Sequence, residues 1–300
     1  MTLSPIALFV YNRSEHTRKT VEALQKNNLA EESELFIFSD GYKNDETKSG
    51  VEEVRNYIKN ISGFKKIEII EKSENFGLAK SIISGVTEVV NRFGKVIVLE
   101  DDLQTSPYFL EYMNKALDLY EAEENVISIH GYLYPVKNKL PETFFIKGAD
   151  CWGWATWQRG WQLFEPNGQK LLNELESKNL TKEFDFGGSY PYTQMLMGQI
   201  AGRNNSWAIR WYASAFLNNK LTLYPGRSLV KNIGMDGSGR HSVKMDSYDS
   251  DLALKPIILE KQKAVENILA KKEITKYYAS LKPRLVKRII DKIKRICSKT

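Results

Sequence analysis

The sequence predicts an α/β fold in which a mostly parallel, doubly wound sheet carries helices on both faces. Two observations lead there. Short, unbroken apolar runs alternate with helical segments through the first hundred residues, and each apolar run ends in polar residues. Strands buried on both faces read as continuous apolar stretches, and the ligand crevice of such sheets lies beyond the carboxyl ends of the strands.

The elements follow in order. IALFVY (6–11) is the first strand and SEHTRKTVEALQKN (14–27) a helix opened by Ser14. ELFIFSDG (34–41) is a strand ending in turn residues, followed by a helix over 45–61, KIEIIEK (66–72) as strand and a helix over 79–93. KVIVLE (95–100) is the fourth strand, and another helix begins near Pro107. The strand ends deliver Asn12 and Arg13, then Ser39 and Asp40, then Asn75, then Glu100, Asp101 and Asp102, all onto one rim. From about residue 140 the texture changes: aromatics crowd 151–164 and 206–216, NNKLTLYP (218–225) reads as a strand, and 228–242 as a Gly-rich loop. After 256 the chain reads as helical and basic. This divides the chain into a nucleotide-binding half (1–140), a half completing the same domain (141–255) and a basic helical tail (256–300).

The net charge of +6 is concentrated in residues 282–300, which hold eight Lys or Arg against one Asp. The rest is near neutral, which argues against a nucleic-acid partner. Leu285, Val286, Ile289, Ile290, Ile293 and Ile296 recur at helical spacing among those basic residues, so the tail is expected to bind an anionic membrane surface. Two cysteines, Cys151 and Cys297, imply neither a disulfide framework nor a Cys-based zinc site. No apolar run approaches the roughly 20 residues that span a bilayer. The expected location is cytoplasmic, peripheral at the inner face of the membrane.

Three adjacent acids at a strand end repel one another and need a reason. Asp and Glu are hard oxygen ligands suited to Mg²⁺ or Mn²⁺, and a divalent cation lets a carboxylate cluster meet a diphosphate. The plainer reading is that Asp102 or Ser106 caps the next helix. No G-x-x-x-x-G-K-[ST] loop, no G-x-G-x-x-G after the first strand and no G-x-S-x-G elbow is present.

The ordered set YNR, SDG…DET, ENFGLAKS and LEDDLQTSPYFLEYM resembles the nucleotide-binding half of a GT-A glycosyltransferase. The closest likeness is to bacterial family-2-like sugar transferases. EDDLQTSPYFLEYM is similar to the metal-site segment of the N-acetylglucosaminyltransferase that initiates complex N-glycans. The resemblance implies transfer of a sugar from a nucleotide sugar, UDP-linked, to a glycan or lipid-linked acceptor in surface polysaccharide or glycoconjugate synthesis. It implies that Asn12, Arg13, Asp40, Glu100 and Asp101 lie against the nucleotide or sugar, and that Asn75 and Gly77 shape the pocket floor. Gly148 would mark a loop against the donor sugar, and Trp152 and Trp154 would be available to stack on it. Asp102 and His241 would hold the metal. An inverting enzyme needs a proton acceptor, and the matching position is Asn205, whose amide cannot serve. Either Asp185 or Asp236 supplies the base, or configuration is retained, or catalysis is impaired. Two other classes stay open: a sugar-phosphate nucleotidyltransferase, and a non-catalytic carbohydrate-binding protein of the same fold.

Overall fold

The computed structural model describes residues 2–237 and 246–281. Its first half follows the expected alternation: β1 (Ile6–Val10), α1 (Ser14–Gln25), β2 (Glu34–Ser39), α2 (Asp45–Ile58), β3 (Lys66–Glu71), α3 (Leu78–Phe93) and β4 (Lys95–Glu100). Then come β5 (Leu103–Thr105), α4 (Phe109–Leu119), β6 (Val126–His130), β7 (Thr143–Lys147) and β8 (Trp154–Trp157). Five helices follow: α5 (Gln158–Trp161), α6 (Gly168–Ser177), α7 (Thr181–Phe184), α8 (Tyr192–Ile200) and α9 (Trp207–Leu217). The described chain closes with β9 (Leu221–Pro225), β10 (Val230–Asn232) and α10 (Ile268–Leu281).

Eight strands form one sheet in the order β3-β2-β1-β4-β8-β6-β9-β7. The pairings from β3 through β4 and the β6–β9 pairing are parallel, whereas β8 and β7 are antiparallel to their neighbours. The unbroken apolar strands have the expected cause. Ile6, Leu8 and Val10 point into one core with Val21, Leu24, Val54, Met113 and Leu117. Ala7 and Phe9, one residue out of phase, point into the other with Ile82, Val86, Trp154 and Trp211. Period-2 alternation therefore feeds two apolar layers at once.

Local chemistry sets the helix ends. Asn44 caps α2 through a reciprocal capping box with Thr47, and Gly94 at φ 79° ends α3 in the left-handed region. The β3 edge is blunted by Lys66, Glu68 and Glu71, a common defence against strand addition. The β7 edge is covered: Asn267 N donates to Phe145 O at 2.8 Å and Lys147 N to Glu266 Oε1 at 3.0 Å.

Several expectations change. Residues 256–267 are not helical, because this stretch runs along β7, and only Ile268–Leu281 forms a helix. The segment read as a loop over 228–242 begins with β10, which pairs antiparallel with β5. Residues 282–300, expected to bind a membrane surface, lie outside the described residues. Among the described residues no helix is long and apolar enough to cross a membrane.

One buried group sets a pH dependence. His130 is fully buried on β6, neither ring nitrogen makes a hydrogen bond, and Asp150 Oδ2 stands 3.6 Å from Nε2. Burial lowers the His130 pKa, with Asp150 opposing it. A histidine kept neutral in the fold gives its full contribution above its unfolded value of about 6.5. That contribution is lost as pH falls below 6.5, where the unfolded chain takes the proton first. Urea unfolding at pH 7.5 and pH 5 is expected to show wild-type protein losing stability relative to His130→Asn at the lower pH.

Candidate active site

The chain winds outward from β1 through β2 to β3, then returns to place β4 on the other side of β1. The loops after β1 and β4 therefore lie side by side and diverge, which opens a crevice at their carboxyl ends. Arg13 comes from the first loop, and Glu100, Asp101 and Asp102 come from the second. Arg13 Nη2 donates to Asp101 Oδ1 at 2.6 Å and to Asp102 Oδ2 at 2.7 Å. Thr20 on α1 donates to the Asp101 carbonyl at 2.8 Å, anchoring that strand end. Burial, joined by repulsion from Asp102 and Asp101, pushes Glu100 up to about 8. Burial also raises Asp101, to about 6, against the pull of Arg13. Burial works against the Arg13 charge as well, but the two aspartates outweigh it and hold its pKa above the usual value. The Arg13 guanidinium, expected against a nucleotide, straddles the acid pair on that rim.

Asp102 does not cap the following helix. The residue before α4 is Tyr108, which makes no side-chain cap, and β5 intervenes. Instead the segment after β10 crosses the acid pair. Ile233 N donates to the Asp102 carbonyl at 2.8 Å. A Cβ on Gly234 would stand 2.0 Å from Asp102 Oδ2 and 2.9 Å from Arg13 Nη1, so only glycine fits against them. Two residues on, Asp236 Oδ2 lies 3.2 Å from His16 Nε2 on α1.

Asp40 has a different task from the one expected. Its Oδ1 accepts from Gly41 N (3.0 Å) and Phe76 N (2.8 Å). Its Oδ2 accepts from Asn75 Nδ2 (3.0 Å) and Gly77 N (2.8 Å). Four donors saturate a carboxylate. Asp40 therefore latches the 75–77 loop to the rim, and Asn75 and Gly77 are its partners. Asn12 packs beside Gly50 of α2, where a Cβ would meet the Asn12 carbonyl at 2.7 Å.

The aromatic expectations divide. Trp154 is fully buried and packs on Trp161, Trp207 and Trp211, so it is core and does not stack on a sugar. Trp152 is partly exposed, edge-on to Tyr132 and Tyr248. Gly148 sits at φ 104° with the Tyr212 ring 2.3 Å from where its Cβ would be, so close packing inside the protein accounts for the glycine. Asp185 accepts from Thr193 N (2.7 Å) and Thr193 Oγ1 (2.9 Å), which fastens the start of α8. Asn205 is exposed, and His241 lies outside the described residues.

One carboxylate was missed. Asp150 accepts from Tyr134 OH and, at 3.4 Å, from Tyr224 OH, while Cys151 N donates to its Oδ1 at 2.8 Å. Burial pushes the Cys151 thiol up, and Asp150, Glu100 and Asp102 add to the effect, so this loop borders the acid rim. No local pattern marked Asp150, because Tyr134 and Tyr224 reach it from 16 and 74 residues away along the chain.

As for a metal, no group of three His, Cys, Asp or Glu side chains among the described residues is arranged to hold one. The donors that do fit are the paired carboxylates of Asp101 and Asp102, with Gly234 packed against Asp102. Mg²⁺-type sites commonly use one or two carboxylates and take further oxygens from substrate phosphates.

Comparison with known proteins follows from this geometry. Residues 6–175 match the profile of glycosyl transferase family 2. No curated protein matches the chain. Among solved structures, the mannosyltransferase PcManGT from Pyrobaculum calidifontis, in complex with GDP-Man and Mn²⁺, is 12% identical, with TM-score 0.33, 58% of this chain and 47% of that chain covered. S. aureus TarS 1-349 is 10% identical, with TM-score 0.41 and coverage of 75% and 59%. A UDP-glucose pyrophosphorylase complexed with UDP-glucose is 12% identical, with TM-score 0.38 and coverage of 74% and 90%. The chain thus spans less than two thirds of the first two, and none of these likenesses bears on the chemistry of the site. The particular likeness to the N-acetylglucosaminyltransferase of complex N-glycans is not confirmed by these matches. With strands β1 to β4 framing an acidic crevice, and one profile running from β1 into α6, the chain belongs to glycosyl transferase family 2.

Proposed function

We propose that the protein transfers a sugar from a nucleotide-sugar donor, UDP-linked, to a glycan or lipid-linked saccharide. The observation that carries this reading is the Asp101–Asp102 pair at the β4 end, held by Arg13 and roofed by Gly234, in a family-2 chain. We assign donor binding to residues 1–140 and acceptor binding to 141–255. A divalent cation held by Asp102, with Asp101 beside it, would neutralise the donor diphosphate and ease its departure.

The protein's own groups supply the rest. Asp40 keeps the 75–77 loop in one conformation, which presents a rigid wall to the donor. Arg13 adds positive charge to a rim that would otherwise repel phosphate. For an inverting reaction we assign the proton acceptor to Asp236, whose segment crosses the acid pair. The nucleotidyltransferase and binding-protein alternatives have less support, since the family match is to transferases.

A thermal-shift screen of nucleotide sugars with and without Mn²⁺ tests the reading. A UDP-sugar is expected to raise the melting temperature only when metal is present, since a ligand at a hundredfold its Kd adds about 2.7 kcal/mol. Equal stabilisation without metal would remove the cation from the scheme, and no response to any nucleotide sugar would remove the donor.

A further inference from the structure

Apart from the acid rim, a groove of about 630 Å³ opens between α3 and the start of α9. Its size falls within the range of small-molecule sites, roughly 300–1,000 Å³. Lys80, Ser84, Thr87 and Glu88 line one side, with Asn205 and Arg210 on the other. The groove starts near the latched loop, since Lys80 follows Gly77, a partner of Asp40, by three residues.

Arg210 is what makes this groove unusual. It is only 8% exposed, and no Asp or Glu among the described residues lies within ion-pair distance. Its Nε donates to the Ser206 carbonyl at 3.2 Å and Nη1 to the Pro166 carbonyl at 3.2 Å. These two bonds occupy two of its five donors and fix the plane of the guanidinium, which also lies over the Phe164 ring at 5.9 Å, while the residue lines the groove. Desolvation lowers the Arg210 pKa, which reflects a charge buried without a counter-ion. Buried charges are ordinarily paired, and a fixed guanidinium fork matches phosphate or carboxylate oxygens. Lys80 adds a second cation at the mouth, its ammonium 3.8 Å from the centre of the Phe76 ring. Glu88, exposed, is the opposing charge. Ser84, Thr87 and Asn205 supply polar groups of the kind that meet sugar hydroxyls.

We propose that this groove binds a saccharide through an anionic group, phosphate or carboxylate, with Arg210 as the fixed anion ligand and Lys80 as a second cation. Taking that saccharide to be the acceptor rests on the glycosyltransferase reading; the binding of an anionic sugar does not.

The test titrates the full chain with glucose 6-phosphate, glucuronate and glucose, following tryptophan emission without nucleotide or metal. Trp161, which donates to Thr87 Oγ1 at 2.8 Å, is the reporter beside the groove. Either anionic sugar should change the emission while glucose does not, and the tighter of the two names the anion. Glu88→Gln should tighten binding and Lys80→Met weaken it, each by about twofold, as expected for an exposed charge. Both residues are exposed, so both variants should fold. Arg210→Met should abolish binding, but it also loses two bonds to carbonyls, which is why the surface pair decides. Silence from both anionic sugars overturns the proposal. So does a response indifferent to Lys80→Met and Glu88→Gln, which would place the anion elsewhere. If nucleotide sugars fail to stabilise the protein while these titrations succeed, the donor reading falls and the groove stands.

Discussion

Asp102→Asn is expected to lower sugar transfer by about a thousandfold, roughly 4 kcal/mol of transition-state stabilisation. The substitution keeps the shape of the side chain and removes the charge that would bind a cation opposite the donor diphosphate. Folding should be almost unaffected. Arg13 retains Asp101 at 2.6 Å, and removing one acid relieves the repulsion that helps raise Glu100 to about 8. The measurement is nucleoside diphosphate release at saturating donor and Mn²⁺, with thermal unfolding as the control. A variant that melts as the wild type does yet transfers at a tenth of its rate or better would remove Asp102 from the metal role.

Trp154→Ala is expected to cost about 3–5 kcal/mol of stability, the usual range for deleting a large buried aromatic. The melting temperature should fall by roughly 10 °C. Trp154 is fully buried among Trp161, Trp207 and Trp211, and no neighbouring group can collapse into so large a void without disturbing the second core. At a temperature where the variant is still folded, its KM for donor should match the wild type. A raised KM with unchanged stability would return Trp154 to the sugar site. Trp152, partly exposed and held edge-on by Tyr132 and Tyr248, should cost less when truncated.

The β1-to-β4 half was legible because each strand serves both cores. A segment that must be apolar on both sides cannot hide its pattern, and the helices between show their own 3.6-residue period. The later half was less so. β6, β7 and β8 are short and lie among aromatics that read equally as core or as ligand contacts, and β10 pairs across more than a hundred residues with β5. Sequence reading placed Trp154 at a sugar because tryptophan serves both purposes. Only its neighbours distinguish the two.

The same limit explains the charged residues. Asp40, an acid at a strand end, looked like a nucleotide acceptor until four donors were found on it. Arg210 sits in SWAIRWYASAF, where a cation amid apolar residues gives no hint of whether a carboxylate answers it from elsewhere.

By itself the sequence determined the α/β class, the polar rim and the acid triplet ending the fourth strand, because these depend on residues adjacent along the chain. Tertiary structure alone decided that Arg13 straddles Asp101 and Asp102, that Gly234 roofs them and that Arg210 stands beside a groove with no carboxylate among the described residues to pair with it. Strand order puts the β1 and β4 loops side by side, and no local pattern records it. Charge and packing act through distance in space, which residues far apart in sequence acquire only once the sheet has closed.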